Sequence, residues 1–225
     1  MEVDFSAVPS SGPAPLNGVD LTALVGGTAS GPITYKFDCT NDGVYEHVFN
    51  NVSDNPKTVI DACNYAASGV YTAKVVAERG GAPPASATLP ITVIPTLSAS
   101  CSAVPTSINA GGSATWTASP TGGTGSYSYT WSGTDNLSGT SQSVTKTYTS
   151  SGTKSGSVTV TSGSQSITQS CSNSVTVNVP DLTADIPAFT PPQVGQSFSF
   201  PGIIKNIGSG SADASNAGFK LDGVA

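Results

Sequence analysis

The chain carries one pattern twice, and that duplication limits what it can fold into. In the later copy Tyr127, Tyr129 and Trp131 alternate with Ser128, Thr130 and Ser132; after a loop, Tyr148 and Gly152 lead into a run ending Val158-Thr159-Val160. In the earlier copy Ile33, Tyr35 and Phe37 alternate in the same way, and Tyr65 and Gly69 repeat the Tyr148 and Gly152 spacing ahead of Val70 to Val76. The tetrapeptide Ser-Ala-Val-Pro occurs at 6–9 and again at 102–105, and Val19, Leu21 and Ala23 correspond to Ala114, Trp116 and Ala118. Alternation with a period of two marks half-buried strands, and self-similarity at fixed spacing marks a tandem repeat. The earlier copy holds about eleven extra residues between Phe37 and Tyr65, which the pattern assigns to a loop from Asp42 to Lys57.

Turn signals divide these runs. Phe5 to Pro9 reads as an edge strand, because Pro9 has no N–H for a ladder. Gly12-Pro13-Ala14-Pro15, Asn17-Gly18 and Gly80-Gly81-Ala82-Pro83-Pro84 read as turns. Short alternating strands between closely spaced turns, with no helical stripe, predict an all-β chain of tandem Ig-like β-sandwiches. The expected modules are 1–95 and 96–179, followed by a partial β domain at 180–225. Leu182 to Ile186, Ser197 to Asn206 and Ala217 to Leu221 are its candidate strands. Three strands leave open edges, so the expectation is a domain cut short or one completed by a partner. Pro95 and Pro180 restrict φ at the joints and predict a semi-rigid string, on the order of 30 Å per module.

Composition narrows the partners. Only 10% of residues are charged, the net charge is -6, and the eight bases are scattered. No basic patch is available for nucleic acid or an anionic membrane surface, and no apolar run is long enough to insert in a bilayer. Met1-Glu2-Val3-Asp4 lacks the basic start and apolar stretch of a signal peptide, so an export signal is expected to be removed or to lie outside this sequence. The four cysteines, Cys39, Cys63, Cys101 and Cys171, form no C-x-x-C. Module boundaries favour Cys39–Cys63 and Cys101–Cys171, with four buried free thiols as the alternative. Disulfides would place the chain in an extracytoplasmic, oxidising compartment.

Particular residues carry a family resemblance. Phe37-Asp38-Cys39-Thr40-Asn41-Asp42-Gly43 with Asn64-Tyr65 through Gly69-Val70-Tyr71-Thr72 resembles the two motif strands of PKD-type (polycystic kidney disease) domains. Trp131-Ser132-Gly133 and Tyr148 through Gly152 match more loosely, since the second copy lacks the aspartates. Pro180-Asp181-Leu182, Val194-Gly195-Gln196 and Lys205-Asn206-Ile207-Gly208 resemble the start of a CARDB (cell-adhesion-related) domain. The resemblance implies a secreted or cell-surface protein in which such modules space, display or adhere.

One stretch has the makings of an ion site. Asp38, Thr40 and Asp42 alternate before Gly43, and Glu46 follows; calcium favours such oxygens around a Gly-broken loop. The alternative is a turn shaped by the same acids, with no cofactor bound. Tyr127, Tyr129 and Trp131 offer either a sugar-stacking strip or core packing. His47, the only histidine, reads as a loop residue, and no nucleophile elbow or metal cluster accompanies it. Asn51-Val52-Ser53 and Asn136-Leu137-Ser138 have the pattern of glycosylation acceptors, a pattern that Ser/Thr-rich chains also produce by chance. The expected function is a non-enzymatic extracellular or cell-surface spacer whose partners are neighbouring domains of its own polypeptide. The alternatives are a self-associating filament subunit completed by a neighbour's strand, and an accessory module that grips polysaccharide for a hydrolase.

Overall fold

The computed structural model describes residues 1–185 and 202–211. Two compact units are present. Met1–Ser98, Pro120–Tyr127 and Thr161–Ile167 make one; Ala99–Ser119, Ser128–Val160 and the described residues from Thr168 onward make the other.

The first repeat contains β1 (Glu2–Val8), β2 (Ser11–Pro13), β3 (Leu16–Gly26), β4 (Ile33–Asp38), β5 (His47–Val52), β6 (Lys57–Tyr65), β7 (Gly69–Arg79) and β8 (Ala85–Ile94). They form two sheets, β1-β3-β6 and β2-β8-β7-β4-β5. Pro9 ends the β1 ladder, and the chain then pairs with the other sheet through the parallel contact of β2 with β8. Two facing sheets with the leading strand divided between them make an Ig-like β-sandwich.

The second repeat has the same plan. Its elements are β9 (Ser98–Val104), β10 (Ser107–Asn109), β11 (Ser113–Thr121), β12 (Ser128–Gly133), a 3-10 turn at Thr134–Asn136, β13 (Leu137–Gly139), β14 (Ser143–Thr147), β15 (Gly152–Lys154), β16 (Gly156–Ser162), β17 (Gln165–Ser170) and β18 (Val175–Asn178). The sheets are β14-β11-β9, β13-β12-β16-β17 and β10-β18-β15. The order matches the first repeat once β15 with β16, and β17 with β18, are taken as broken versions of β7 and β8. Gly156 sits at one break: a Cβ there would lie 2.8 Å from Trp116 Cε3 and 2.8 Å from Leu137 Cδ2. The large indole therefore requires a residue without a side chain beside it.

Inward positions are those the alternation selects. Val19, Leu21, Ala23, Ile33, Tyr35, Phe37, Val75 and Ile91 are buried in the first repeat. Phe37 is its centre, with ring centroids of Phe5, Tyr35 and Phe49 at 6.2, 6.2 and 6.3 Å. In the second repeat Trp116, Tyr148, Trp131, Val158, Val160 and Val175 are buried. Outward positions there carry hydroxyls that bond across strands: Ser113 with Thr147 at 2.7 Å, Thr115 with Thr145 at 2.9 Å, and Thr117 with Ser143 at 3.0 Å. Thr159 with Thr168 does the same on another sheet at 2.8 Å. The Ser/Thr-rich composition is thus the solvent half of the period-two pattern.

Several expectations change. Asn17-Gly18 is no turn: it lies inside β3, where the pairing with β6 slips between Leu16 and Val19. Gly18, at φ 68°, absorbs that bulge. Ser11–Pro13 is a short strand, and β5 occupies the middle of the span assigned to a loop from Asp42 to Lys57. Toward the C-terminus, β19 (Leu182–Asp185) pairs antiparallel with β20 (Ile203–Asn206). Ile186, Val194-Gly195-Gln196, the Ser197 to Pro201 part of its candidate strand, and Ala217 to Leu221 lie outside the described residues.

Candidate functional site

The acidic stretch follows β4 and spends its oxygens on its own backbone. Asp38 is fully buried. Its Oδ1 accepts from Thr40 N–H at 3.1 Å and Asp42 N–H at 3.3 Å, and its Oδ2 from Gly43 N–H at 2.9 Å. Burial acts to raise the Asp38 pKa, but the N–H groups of Gly43, Thr40, Asn41 and Asp42 outweigh it and leave the carboxyl below its ordinary value. Asp42 Oδ1 accepts from Val44 N–H at 2.8 Å, and Glu46 Oε2 from Cys39 N–H at 2.8 Å. Thr40 is exposed. Among the described residues no group of three or more His, Cys, Asp or Glu side chains is arranged to hold a metal ion.

Next to that loop, Cys39 is joined to Cys63 of β6, with Cα atoms 5.8 Å apart. The bond links the two sheets, since β4 and β6 belong to different ones. Tyr65 O–H donates to the Cys39 carbonyl at 2.8 Å, and its ring lies 4.5 Å from that of Tyr71. Burial first, and the Glu46 charge second, push the Tyr65 pKa up to about 12. His47 starts β5 and is not a loop residue; its Nε2 lies 2.9 Å from the Ala62 carbonyl. It is thereby tied into the frame of the loop.

In the second repeat, Cys101 of β9 is joined to Cys171, which lies between β17 and β18. Beside it the connection from β17 to β18 is bonded to β9. Ser172 N–H donates to the Cys101 carbonyl at 2.9 Å, and the Asn173 carboxamide both accepts from Ala103 N–H and donates to its carbonyl, each at 2.8 Å. Trp116 Nε1–H donates to Tyr148 Oη at 3.0 Å, with both side chains buried. Burial raises the Tyr148 pKa.

One constellation escaped the sequence reading. Lys154, with its side chain 5% exposed, places Nζ 2.8 Å from an Asp135 carboxylate oxygen and donates to Ser150 Oγ at 2.7 Å. Ser150 in turn donates to Asp135 Oδ2 at 2.9 Å. The hydrogen bonds from Lys154 and then Ser150 lower the Asp135 pKa. A Ser–Lys pair serves nucleophilic catalysis when the amine is free to take a proton. Here the ammonium is engaged by a carboxylate, and the serine proton points at that carboxylate instead of the amine. The arrangement fastens the 3-10 turn to β15. The available signal was scarcity: Asp135, Lys146 and Lys154 are the only charges between 97 and 179.

The aromatic strip divides. Trp131 is 2% exposed and donates from Nε1 to the Ser141 carbonyl at 2.9 Å, whereas Tyr127 and Tyr129 are half-buried. The indole has no open face for a sugar. Every buried side-chain nitrogen or oxygen among the described residues has a hydrogen-bond partner.

No protein-family model matches the chain, and no curated protein sequence matches it. Solved structures with a similar strand arrangement include a 282-residue C-terminal intimin fragment in complex with the intimin-binding domain of the translocated intimin receptor. It is 17% identical over 79% of this chain, with a TM-score of 0.42. Murine CEACAM1b is 16% identical over 79% of the chain, with a TM-score of 0.39. An ICAM-5 D1–D4 ectodomain fragment is 16% identical over 82% of the chain, with a TM-score of 0.45. The chain spans 66% of the intimin fragment, 99% of CEACAM1b and 56% of the ICAM-5 fragment.

Proposed function

We propose that this chain is a non-enzymatic, extracytoplasmic spacer that holds other parts of a secreted or cell-surface protein at a distance. The observation that carries the reading is the pair of disulfides, one in each copy of a duplicated β-sandwich, each joining a strand of one sheet to the residue just past the end of a strand in another. Such bonds persist in oxidising compartments and stabilise sandwiches of this modest size. On this reading the modules are 1–95 and 96–179 of PKD type, followed by a CARDB-like segment at 180–225, with prolines stiffening the joints. The acidic loop from Asp38 to Glu46 is a turn capped by its own carboxylates, not a calcium site.

A second reading has an observation of its own. Leu182, Ile203, Ile204 and Ile207 are exposed around the β19–β20 pair, which favours a segment completed by a strand from a neighbouring copy. Sedimentation velocity over a wide concentration range separates the two. A spacer stays monomeric throughout, whereas strand exchange gives species that grow with concentration. The polysaccharide-gripping alternative loses its aromatic platform with the burial of Trp131.

A further inference from the structure

The two Asn-x-Ser sequences fall on the corresponding edge strands of the two sandwiches, at opposite ends of them. Asn51 lies in β5, the edge strand of its sheet, and Asn136 directly precedes β13, the corresponding edge strand. Asn51 sits at a bulge: Ile33 pairs with Val52 and Tyr35 with Phe49, so Asn50 and Asn51 together face Thr34. Both acceptor asparagines have left-handed backbones, with φ 56° at Asn51 and 59° at Asn136. Both are exposed, and so are Ser53 and Ser138 two residues on.

Their carboxamides also differ from most others in the chain. Asn55, Asn64, Asn109, Asn173, Asn178 and Asn206 use their side chains in hydrogen bonds that hold strands and turns. Those of Asn51 and Asn136 form none among the described residues; the Asn51 backbone N–H donates to Thr34 Oγ1 at 3.2 Å. A transferase needs an acceptor amide that is free, outside a ladder and followed by an accessible hydroxyl. An open sheet edge, for its part, needs covering against pairing with other chains.

We propose that Asn51 and Asn136 are N-glycosylation sites whose glycans shield the β5 and β13 edges. The donor class is an oligosaccharide linked through phosphate to a lipid. The asparagine Nδ2 forms a bond to the anomeric carbon as the bond from that carbon to the phosphate oxygen breaks, and the displaced amide proton leaves with the lipid phosphate. This inference rests on the extracytoplasmic placement proposed above.

The test exports the full chain, behind an added signal sequence, through a host whose oligosaccharyltransferase modifies an Asn-Gly-Thr tail appended after Ala225. Intact mass then reports occupancy of the internal sites. Two glycans beyond the tail are expected on the 22.4 kDa polypeptide. One is lost in Asn51→Gln or Ser53→Ala, one in Asn136→Gln or Ser138→Ala, and both in the combined variants. The serine substitutions leave each left-handed asparagine in place, so they separate lost modification from a disturbed turn. A chain modified on its tail alone overturns the proposal, and a chain lacking one internal glycan overturns it for that site. Because export is imposed, this outcome is independent of where the protein naturally resides, which the state of its cysteines tests separately.

Discussion

Removing one hydroxyl from the second repeat should cost more than its size suggests. Tyr148 Oη is the acceptor for Trp116 Nε1–H, 3.0 Å away, and neither side chain reaches solvent. Tyr148→Phe leaves the shape of the core almost unchanged but strands a buried indole N–H, at a cost of about 1–3 kcal/mol. In a repeat of this length each kcal/mol lowers the melting temperature by roughly 4–8 °C. Tryptophan fluorescence isolates the effect, because the chain's two tryptophans, Trp116 and Trp131, both belong to the second repeat. Urea titration followed at the indole should show a lower midpoint with an unchanged slope. In a Trp116→Phe background the Tyr148 hydroxyl has already lost its partner, so removing it should cost nothing or stabilise. The resulting coupling is expected to be about 1 kcal/mol or more. A Tyr148→Phe cost below about 0.3 kcal/mol, or the same cost in both backgrounds, would refute the claim that these two residues plug the core as a bonded pair.

Two further outcomes follow from the loops and staples. The folded-state pKa of Asp38 is depressed, so its stabilisation is complete above the unfolded carboxylate value of about 3.9 and is lost as pH falls through the folded value. Asp38→Asn should therefore lower the calorimetric transition of the first repeat at neutral pH and flatten its decline below about pH 4; millimolar calcium should shift neither protein. Pulling single molecules from both ends tests the disulfides. Reduction should add on the order of 80 Å of contour for the 24-residue Cys39–Cys63 separation and on the order of 240 Å for the 70-residue Cys101–Cys171 separation.

What the residues revealed in advance follows the physics of each feature. Period-two alternation depends only on which face is buried, so Val19, Leu21 and Ala23, and their counterparts Ala114, Trp116 and Ala118, could be assigned inward without coordinates. The cysteine pairing followed from the repeat boundaries. Gly18 misled because a bulge glycine and a turn glycine need the same positive φ, and only the partner strand distinguishes them. His47 misled because a short edge strand such as β5 is defined by pairing with β4, which its own residues do not announce. The Asp135, Ser150 and Lys154 cluster joins the 3-10 turn to β15 and the residues just before it, and no local spacing encodes that meeting. The acidic run before Gly43 was ambiguous because calcium ligands and backbone caps draw on the same side chains; the N–H groups around Asp38 favour capping.

The extracytoplasmic reading is tested most directly by non-reducing peptide mapping of the protein taken from its natural source, with thiols blocked at lysis. We expect fragments holding Cys39 with Cys63 and Cys101 with Cys171, and no blocked cysteine. Recovery of all four cysteines in blocked form would contradict it.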